Sequence, residues 1–128
     1  MPRLLIIDDE RLARLTLRKI LERAGHEVME ASTGNEGLAM FRAKPCDLVI
    51  TDIIMPEKEG IQTIIELKRD FPNARVIAMS GGGRTHNMDF LRLASKCGAE
   101  RVLAKPFAMD DVSAAINDVL GRPAPNQA

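Results

Sequence analysis

The chain has 128 residues, enough for one domain with a proper hydrophobic core. It is 45% hydrophobic and 28% charged, as in an ordinary globular protein. The 18 basic and 18 acidic residues balance, which excludes bulk attraction to nucleic acid or to an anionic membrane. Two cysteines are too few for a disulfide framework or a zinc site, and no apolar run reaches membrane-spanning length. We therefore expect a cytoplasmic protein with reduced thiols, no direct nucleic-acid contact and no membrane insertion.

Short apolar runs mark the predicted strands. Four of them are continuous rather than alternating, which is typical of parallel strands that are covered on both faces. A fifth, weaker strand follows the turn at Gly25. In chain order, the predicted strands cover residues 4–7, 27–31, 48–50, 76–79 and 102–104.

Segments with helical spacing separate these strands. The first helix has an inward stripe that reaches Ala24, with Gly25 as its cap. The third has a stripe that includes Ile65. The other helices are predicted over residues 33–43, 60–70, 88–96 and 110–120. The alternation predicts an α/β fold, a doubly wound sheet of five parallel strands. We expect the flavodoxin-like (βα)5 type with order 2-1-3-4-5; if the order is that one, the first and third strands are neighbours. This domain should span residues 1–121, and the polar, proline-rich residues 122–128 should form a flexible tail.

Polar residues follow four of the strands. They are Asp8 and Asp9 after the first, Asp52 after the third, Ser80 after the fourth and Lys105 after the fifth. Ligands of open α/β sheets bind beyond the carboxyl ends of the strands. Neighbouring first and third strands would bring the carboxylates together, and Mg²⁺ is the cation that best offsets their repulsion. A carboxylate nucleophile, a cation, a lysine and a hydroxyl form a set suited to phosphoryl transfer.

Each of these features has a simpler explanation when it is taken alone. Asp8 and Asp9 could cap the first helix, and Asp52 could open a turn. Ser80 could begin a glycine loop, and Lys105 could mark a strand exit. All of them stand at successive strand ends, which favours the functional interpretation.

These residues resemble the receiver domains of two-component response regulators, the CheY-like family. The resemblance covers residues 3–120, and Gly60 is one of the residues that carry it. Its motifs are Leu5-Ile-Ile-Asp-Asp-Glu, Asp47-Leu-Val-Ile-Thr-Asp-Ile-Ile-Met-Pro, Ala78-Met-Ser-Gly and Lys105-Pro-Phe.

The resemblance implies a phosphoacceptor and a metal site. It implies that Asp52 is phosphorylated by a sensor histidine kinase or a histidine phosphotransfer protein. Asp9, Asp52 and the backbone carbonyl of Ile54 would ligate Mg²⁺ (or Mn²⁺), and Asp8 would act largely through bound water. Ser80 and Lys105 would contact phosphoryl oxygens.

Near Lys105 the sequence both follows and departs from the family pattern. The resemblance implies a cis peptide before Pro106, which would aim Lys105 into the site. Val102 stands where the family usually has an aromatic switch residue, and Ile54 stands where a polar residue is common. Our substitute hypothesis for the switch is motion of the glycine loop, residues 81–83, which is cheap in backbone terms.

Three arginines on the first helix suggest a contact surface. Arg11, Arg14 and Arg18 have the spacing of one helical stripe, which we expect on the exposed side. A solvated face is the simpler interpretation, and docking of the kinase is the functional one that the resemblance implies. Because no output domain follows in this sequence, we expect a stand-alone regulator that signals to a partner protein, or that relays or sinks phosphoryl groups.

Two other classes of protein remain as alternatives. A phosphohydrolase of the haloacid-dehalogenase type needs a second aspartate two positions after the nucleophile, where this sequence has Ile54. An unphosphorylated scaffold would not need the acidic and lysine positions. We therefore expect a protein that catalyses its own phosphorylation and dephosphorylation but is not a turnover enzyme.

Overall fold

The computed structural model describes residues 2–53, 60–80, 87–104 and 108–122, with the backbone alone for residues 87–91. Within these ranges, five strands alternate with five helices. In chain order they are β1 Arg3–Ile7, α1 Arg11–Arg23, β2 Glu27–Ala31, α2 Gly34–Ala43, β3 Leu48–Asp52, α3 Gly60–Asp70, β4 Val76–Ser80, α4 Asn87–Lys96, β5 Arg101–Ala104 and α5 Met109–Leu120.

The strands form one parallel sheet in the order β2-β1-β3-β4-β5. This confirms the predicted fold class and strand order. Every residue of β3 and β4 is buried, as their continuous apolar runs required. The register pairs Ile7 with Thr51, so β1 and β3 end side by side. That adjacency decides where the polar residues after these strands meet.

The core has two layers, one on each face of the sheet. Alternate residues of each strand point to opposite faces, as in β1, where Leu5 and Ile7 face one layer and Leu4 and Ile6 the other. The first layer is completed by α2, α3 and α4, and the second by α1 and α5. The edge-to-face contact of Phe41 with Phe71, at 4.9 Å between ring centroids, closes the first layer near α2.

Two residues predicted to face inward are exposed instead. Ile65 is 42% exposed because the buried face of α3 is centred on Gly60, Ile64 and Leu67, and each residue turns the helix by about 100°. Ala24 lies one residue beyond α1, where it is the C-cap. Gly25 follows with φ of +93°, the left-handed conformation that favours glycine.

The first residue of the predicted tail is attached to the domain. The Arg122 guanidinium donates to the Asp118 carboxylate at 2.7 Å and to the Glu100 carbonyl at 3.2 Å. The Arg122 carbonyl in turn accepts from Arg75 at 2.8 Å. Arg122 thus bonds acceptors on α5 and before β5, while the flexible tail stays a prediction. Residues 123–128 lie outside the described ranges.

Both cysteines are free thiols. Cys46 donates to the Leu48 carbonyl at 3.4 Å, and burial raises the pKa of its thiol to about 11. The thiol is therefore protonated at neutral pH, where it is a poor nucleophile and metal ligand. None of the helices within the described ranges combines the length and the apolar composition that a membrane crossing requires.

An ion pair at the amino end of the sheet joins three elements. The Lys68 ammonium of α3 donates to both Glu100 carboxylate oxygens, at 3.0 and 2.7 Å, and to the Ala74 carbonyl. Glu100 also accepts from the Val76 amide at 2.7 Å. The two side chains are only 15% and 14% exposed. This pair fixes α3 and the segment before β5 to the start of β4.

We predict that Lys68→Met lowers the free energy of unfolding by about 2 kcal/mol, because it leaves a largely buried carboxylate without its cation. Urea unfolding followed by circular dichroism measures this change. Arg69→Met is the matched control, since Arg69 pairs with Asp70 through a side chain that is 66% exposed; it should leave the urea midpoint unchanged. Equal losses in the two variants would contradict a special role for the Lys68–Glu100 pair.

Candidate functional site

Three carboxylates meet at the carboxyl edge of the sheet. Asp8 directly follows β1, Asp52 is the last residue of β3, and both are buried, whereas Asp9 is exposed. Their carboxylate oxygens lie within 4.8 Å of one another. The sequence predicted this meeting from the positions of the strand ends and the expected strand order.

Three carboxylates at this separation repel one another unless a cation or a proton offsets the charge. A set made only of carboxylate oxygens suits hard cations such as Mg²⁺ and Mn²⁺, and it does not suit soft metals that prefer sulfur or nitrogen. Two buried ligands and one exposed ligand also leave the site open towards solvent, as Mg²⁺ requires to keep several of its waters. Asp8, Asp9 and Asp52 therefore fit a hard divalent cation.

Asp8 is fixed by main-chain contacts on both sides. Its amide donates to the Ala31 carbonyl at 3.1 Å, which extends the pairing of β1 with β2 by one residue. Its carboxylate accepts from the Glu10 amide at 2.9 Å, and Glu10 is the N-cap of α1. The first helix therefore starts directly from the acidic cluster.

Asp52 is held in place by contacts at its backbone carbonyl and at the amide that follows it. The buried Thr51 hydroxyl donates to the Asp52 carbonyl at 3.0 Å, and the Ile53 amide donates to the Met79 carbonyl at 2.9 Å. The first residue of α3 lies against the same carbonyl: a Cβ placed on Gly60 would stand 2.0 Å from the Asp52 oxygen. Only glycine allows this close approach, which explains structurally why Gly60 belongs to the motif.

Ser80 ends β4, the strand next to β3. Asp52 pairs with Met79 in the register of the sheet, so Ser80 stands one residue further towards the carboxyl edge. Its side chain is fully buried, and its Oγ has no hydrogen-bond partner in the part of the chain that the structure describes. A buried hydroxyl without a partner is costly, and it is suited to bond an oxygen that enters the site.

The remaining predicted site residues belong to β5 or follow β3, β4 and β5 in the chain. Ile54, Lys105 and Pro106, like the glycine loop at 81–83, fall outside the described residues. The strand β5 ends at Ala104, directly before Lys105 in the chain. Val102, which replaces the usual aromatic residue, is half-buried and contacts the core layer formed with α2, α3 and α4.

The three arginines of α1 do not form one exposed stripe. Arg11 is exposed, but the Arg14 side chain is only 16% exposed, and its Nε donates to Glu30 of β2 at 3.0 Å. Arg18 pairs with the same Glu30 and with Glu22. The prediction of a stripe on the exposed side is therefore wrong for Arg14, because Glu30 draws that guanidinium towards the sheet.

The sequence did not reveal an apolar groove between α1 and α5. Its volume is about 470 Å³, and Asp8 and Glu10 are among the residues that line it. Leu12, 73% exposed, and Met109, 53% exposed, stand at its rim. In the sequence, the groove is indicated only by the apolar residues Leu12 and Met109 at the starts of two helices. The groove forms because these helices, which are far apart in the sequence, lie side by side in the fold.

We predict that Ser80→Ala raises the free energy of unfolding by about 1 kcal/mol in metal-free buffer, because it removes a buried hydroxyl for which the described residues offer no hydrogen-bond partner. The contrast is Thr51→Val, which removes a buried hydroxyl that does bond and should lower that free energy by about 1 kcal/mol. Urea unfolding of both variants beside the wild type measures the two changes. A loss of stability in Ser80→Ala would mean that this hydroxyl has a hydrogen-bond partner in the metal-free protein.

Comparisons with known proteins agree with this geometry. The response regulator receiver domain family matches residues 4–117. The chemotaxis protein CheY of Thermotoga maritima is 37% identical over 118 residues, which cover 91% of this chain and 96% of that protein. The sporulation initiation phosphotransferase F of Bacillus subtilis is 29% identical over 118 residues, which cover 92% of this chain and 93% of that protein. The crystal structure of a receiver domain protein from Clostridium thermocellum superposes with a TM-score of 0.88 at 37% identity, over 95% of this chain and 96% of that one. This chain therefore belongs to the response regulator receiver domain family, the CheY-like proteins of two-component signalling.

Proposed function

We propose that this chain accepts a phosphoryl group on Asp52 from a phosphohistidine of a sensor kinase or of a histidine phosphotransfer protein. The observation that carries the proposal is the carboxylate cluster at the ends of β1 and β3, with oxygens within 4.8 Å of one another. Asp52 is the buried member that ends a central strand, which is the place for a nucleophile that needs fixed geometry.

The reaction is a displacement at phosphorus. A carboxylate oxygen of Asp52 attacks the phosphorus atom, and a P–O bond forms as the P–N bond to the donor imidazole breaks. The imidazole nitrogen leaves with the electron pair of that bond, and the product is an acyl phosphate on Asp52. Positioning and charge neutralisation are the main sources of catalysis in such transfers.

The proposal includes Mg²⁺, or Mn²⁺, as the cofactor. Asp9 and Asp52 would hold it directly with the Ile54 carbonyl, and Asp8 would hold it largely through water. When bound, the cation neutralises negative charge on the carboxylates and on the phosphoryl oxygens. The Ser80 hydroxyl would donate to one phosphoryl oxygen, and Lys105 would pair with another.

We infer that the acyl phosphate is the signal. The gain of a partner by the unsatisfied Ser80 hydroxyl would favour a changed position of the β4 end, and with Val102 in place of an aromatic residue the adjoining glycine loop would carry the change. The output is a changed affinity for a downstream protein, or onward transfer of the phosphoryl group. The chain is proposed as a stoichiometric acceptor rather than a turnover enzyme. We place it in the cytoplasm, an assignment supported by its two free thiols.

The groove between α1 and α5 is proposed as the docking surface of the phosphohistidine donor. A donor that reaches Asp52 must also contact the protein beside Asp8, and Asp8 is one of the residues that line the groove. Exposed Leu12 and Met109 offer apolar contact area, and exposed Arg11 directly precedes Leu12 in the chain. Arg14 and Arg18, the other two predicted docking residues, are engaged with Glu30 and contribute less to such a contact.

Intact mass spectrometry after incubation with acetyl phosphate and Mg²⁺ tests the acceptor. We predict one added phosphoryl group on the wild type and none on Asp52→Ala. Asp47→Ala is the matched control, since Asp47 precedes the opposite end of the same strand, where it accepts from the Arg3 amide; it should be labelled like the wild type. Labelling of Asp52→Ala would place the acceptor elsewhere, and sustained release of phosphate from phosphomonoesters would favour the hydrolase class.

A second experiment tests the docking surface. We predict that Leu12→Asn lowers the kcat/KM of phosphotransfer from a phosphorylated histidine phosphotransfer protein by about tenfold, the effect of one apolar anchor. Labelling by acetyl phosphate should not change, because that donor needs no protein contact. Leu93→Asn, which alters an exposed leucine on α4, is the control and should transfer normally. Equal slowing with both donors would mean that Leu12 affects the site rather than docking.

A further inference from the structure

Arg14 joins the acidic cluster to the edge of the sheet. Its Nη1 donates to the backbone carbonyl of Asp8 at 2.7 Å, and its Nε donates to the Glu30 carboxylate at 3.0 Å. One planar group therefore bonds two acceptors, the first directly after β1 and the second on β2. The rigid fork of an arginine suits such a bridge, which a lysine ammonium cannot reproduce with the same geometry.

The far end of this bridge is itself anchored. The second oxygen of Glu30 accepts from Arg18, and Arg18 also pairs with Glu22 at 3.3 Å. Burial alone would raise the pKa of Glu30, but hydrogen bonds from Arg18 and Arg14 outweigh it and lower the pKa. Glu30 is therefore ionised at neutral pH, and its carboxylate holds the Arg14 guanidinium against the Asp8 carbonyl.

The Asp8 carbonyl belongs to the peptide unit that joins Asp8 to Asp9. Because a peptide unit is planar, fixing its oxygen fixes the direction in which the chain enters Asp9. The Asp8 side chain has a further anchor in the Glu10 amide, whereas Asp9 is exposed and depends more on the backbone for its position. Arg14 thereby acts on the two acidic residues of this loop through a single main-chain atom.

We propose that Arg14 is a positioning residue for the divalent cation site, which orients the Asp8–Asp9 peptide and so the carboxylates that bind the cation. The proposal rests on the proposed function in one respect, namely that Asp8, Asp9 and Asp52 hold such a cation. Partners of this kind do not touch the metal, yet their loss commonly weakens metal binding because the ligands are left less well oriented.

A purely electrostatic role makes the opposite prediction. The positive charge of Arg14 opposes a divalent cation nearby, so removal of that charge alone would tighten cation binding. Loss of a positioning contact would loosen it. The sign of the change in cation affinity therefore distinguishes the two roles.

The test is Mn²⁺ binding by the full chain after treatment with a chelator, measured by calorimetry and by the electron paramagnetic resonance of free Mn²⁺. We expect Arg14→Met to weaken Mn²⁺ binding about tenfold. The matched control is Arg18→Met, which removes the same charge from the same helix and from the same Glu30 but has no bond to the Asp8 carbonyl; its affinity should stay within about twofold of the wild type.

Several outcomes would overturn the proposal. Unchanged or tighter Mn²⁺ binding by Arg14→Met would do so, and equal weakening by Arg18→Met would point to general loosening of α1. If Arg14→Met does not fold, Arg14→Lys decides: it keeps the charge without the fork, and it should bind Mn²⁺ more weakly at an unchanged Tm. Wild-type affinity in Arg14→Lys would then overturn the proposal. Failure of the wild type to bind Mn²⁺ would instead contradict the proposed cation site itself.

Discussion

The repulsion between three carboxylates at one edge of the sheet is the constraint on which the rest of this structure depends. Asp8 and Asp52 are buried and share the site with Asp9, an arrangement that destabilises a protein unless something compensates for it. The compensation comes from the parallel sheet, whose central strands are buried on both faces and end side by side. The core holds the carboxylates together, and a cation is then favoured by the charge that the core has concentrated.

Several contacts around the site hold backbone atoms. Thr51 donates to the Asp52 carbonyl, Gly60 lies against the same carbonyl, and Arg14 donates to the Asp8 carbonyl. These contacts help to fix the direction of the carboxylates. The opposite edge is different, since there the Lys68 ammonium and the Glu100 carboxylate satisfy one another. The amino edge of the sheet is thus stabilised by an internal ion pair, whereas the carboxyl edge concentrates like charges that fit a hard cation.

Continuous apolar runs and polar strand ends are local patterns, so the sequence predicted the parallel sheet. The meeting of the acidic residues followed from the flavodoxin-like strand order that we expected for it. Prediction from the sequence failed where the outcome depends on distant partners. Arg14 has the spacing of an exposed stripe, but Glu30 on another element turns it inward. Ile65 follows the apolar pattern of α3 but lies past its buried face. The groove beside Leu12 likewise needs α5 packed next to α1, which no local pattern encodes.

The stability of the chain with and without Mg²⁺ tests the central claim most directly. The measurement is the free energy of urea unfolding of the wild type and of Asp9→Asn, which removes one of the three charges. Without metal, Asp9→Asn should be the more stable protein because repulsion is relieved. At a Mg²⁺ concentration ten times the dissociation constant, the wild type should gain about 1.4 kcal/mol, and Asp9→Asn should gain much less. A wild-type stability that does not respond to Mg²⁺, or an Asp9→Asn variant that is less stable than the wild type without metal, would contradict the account.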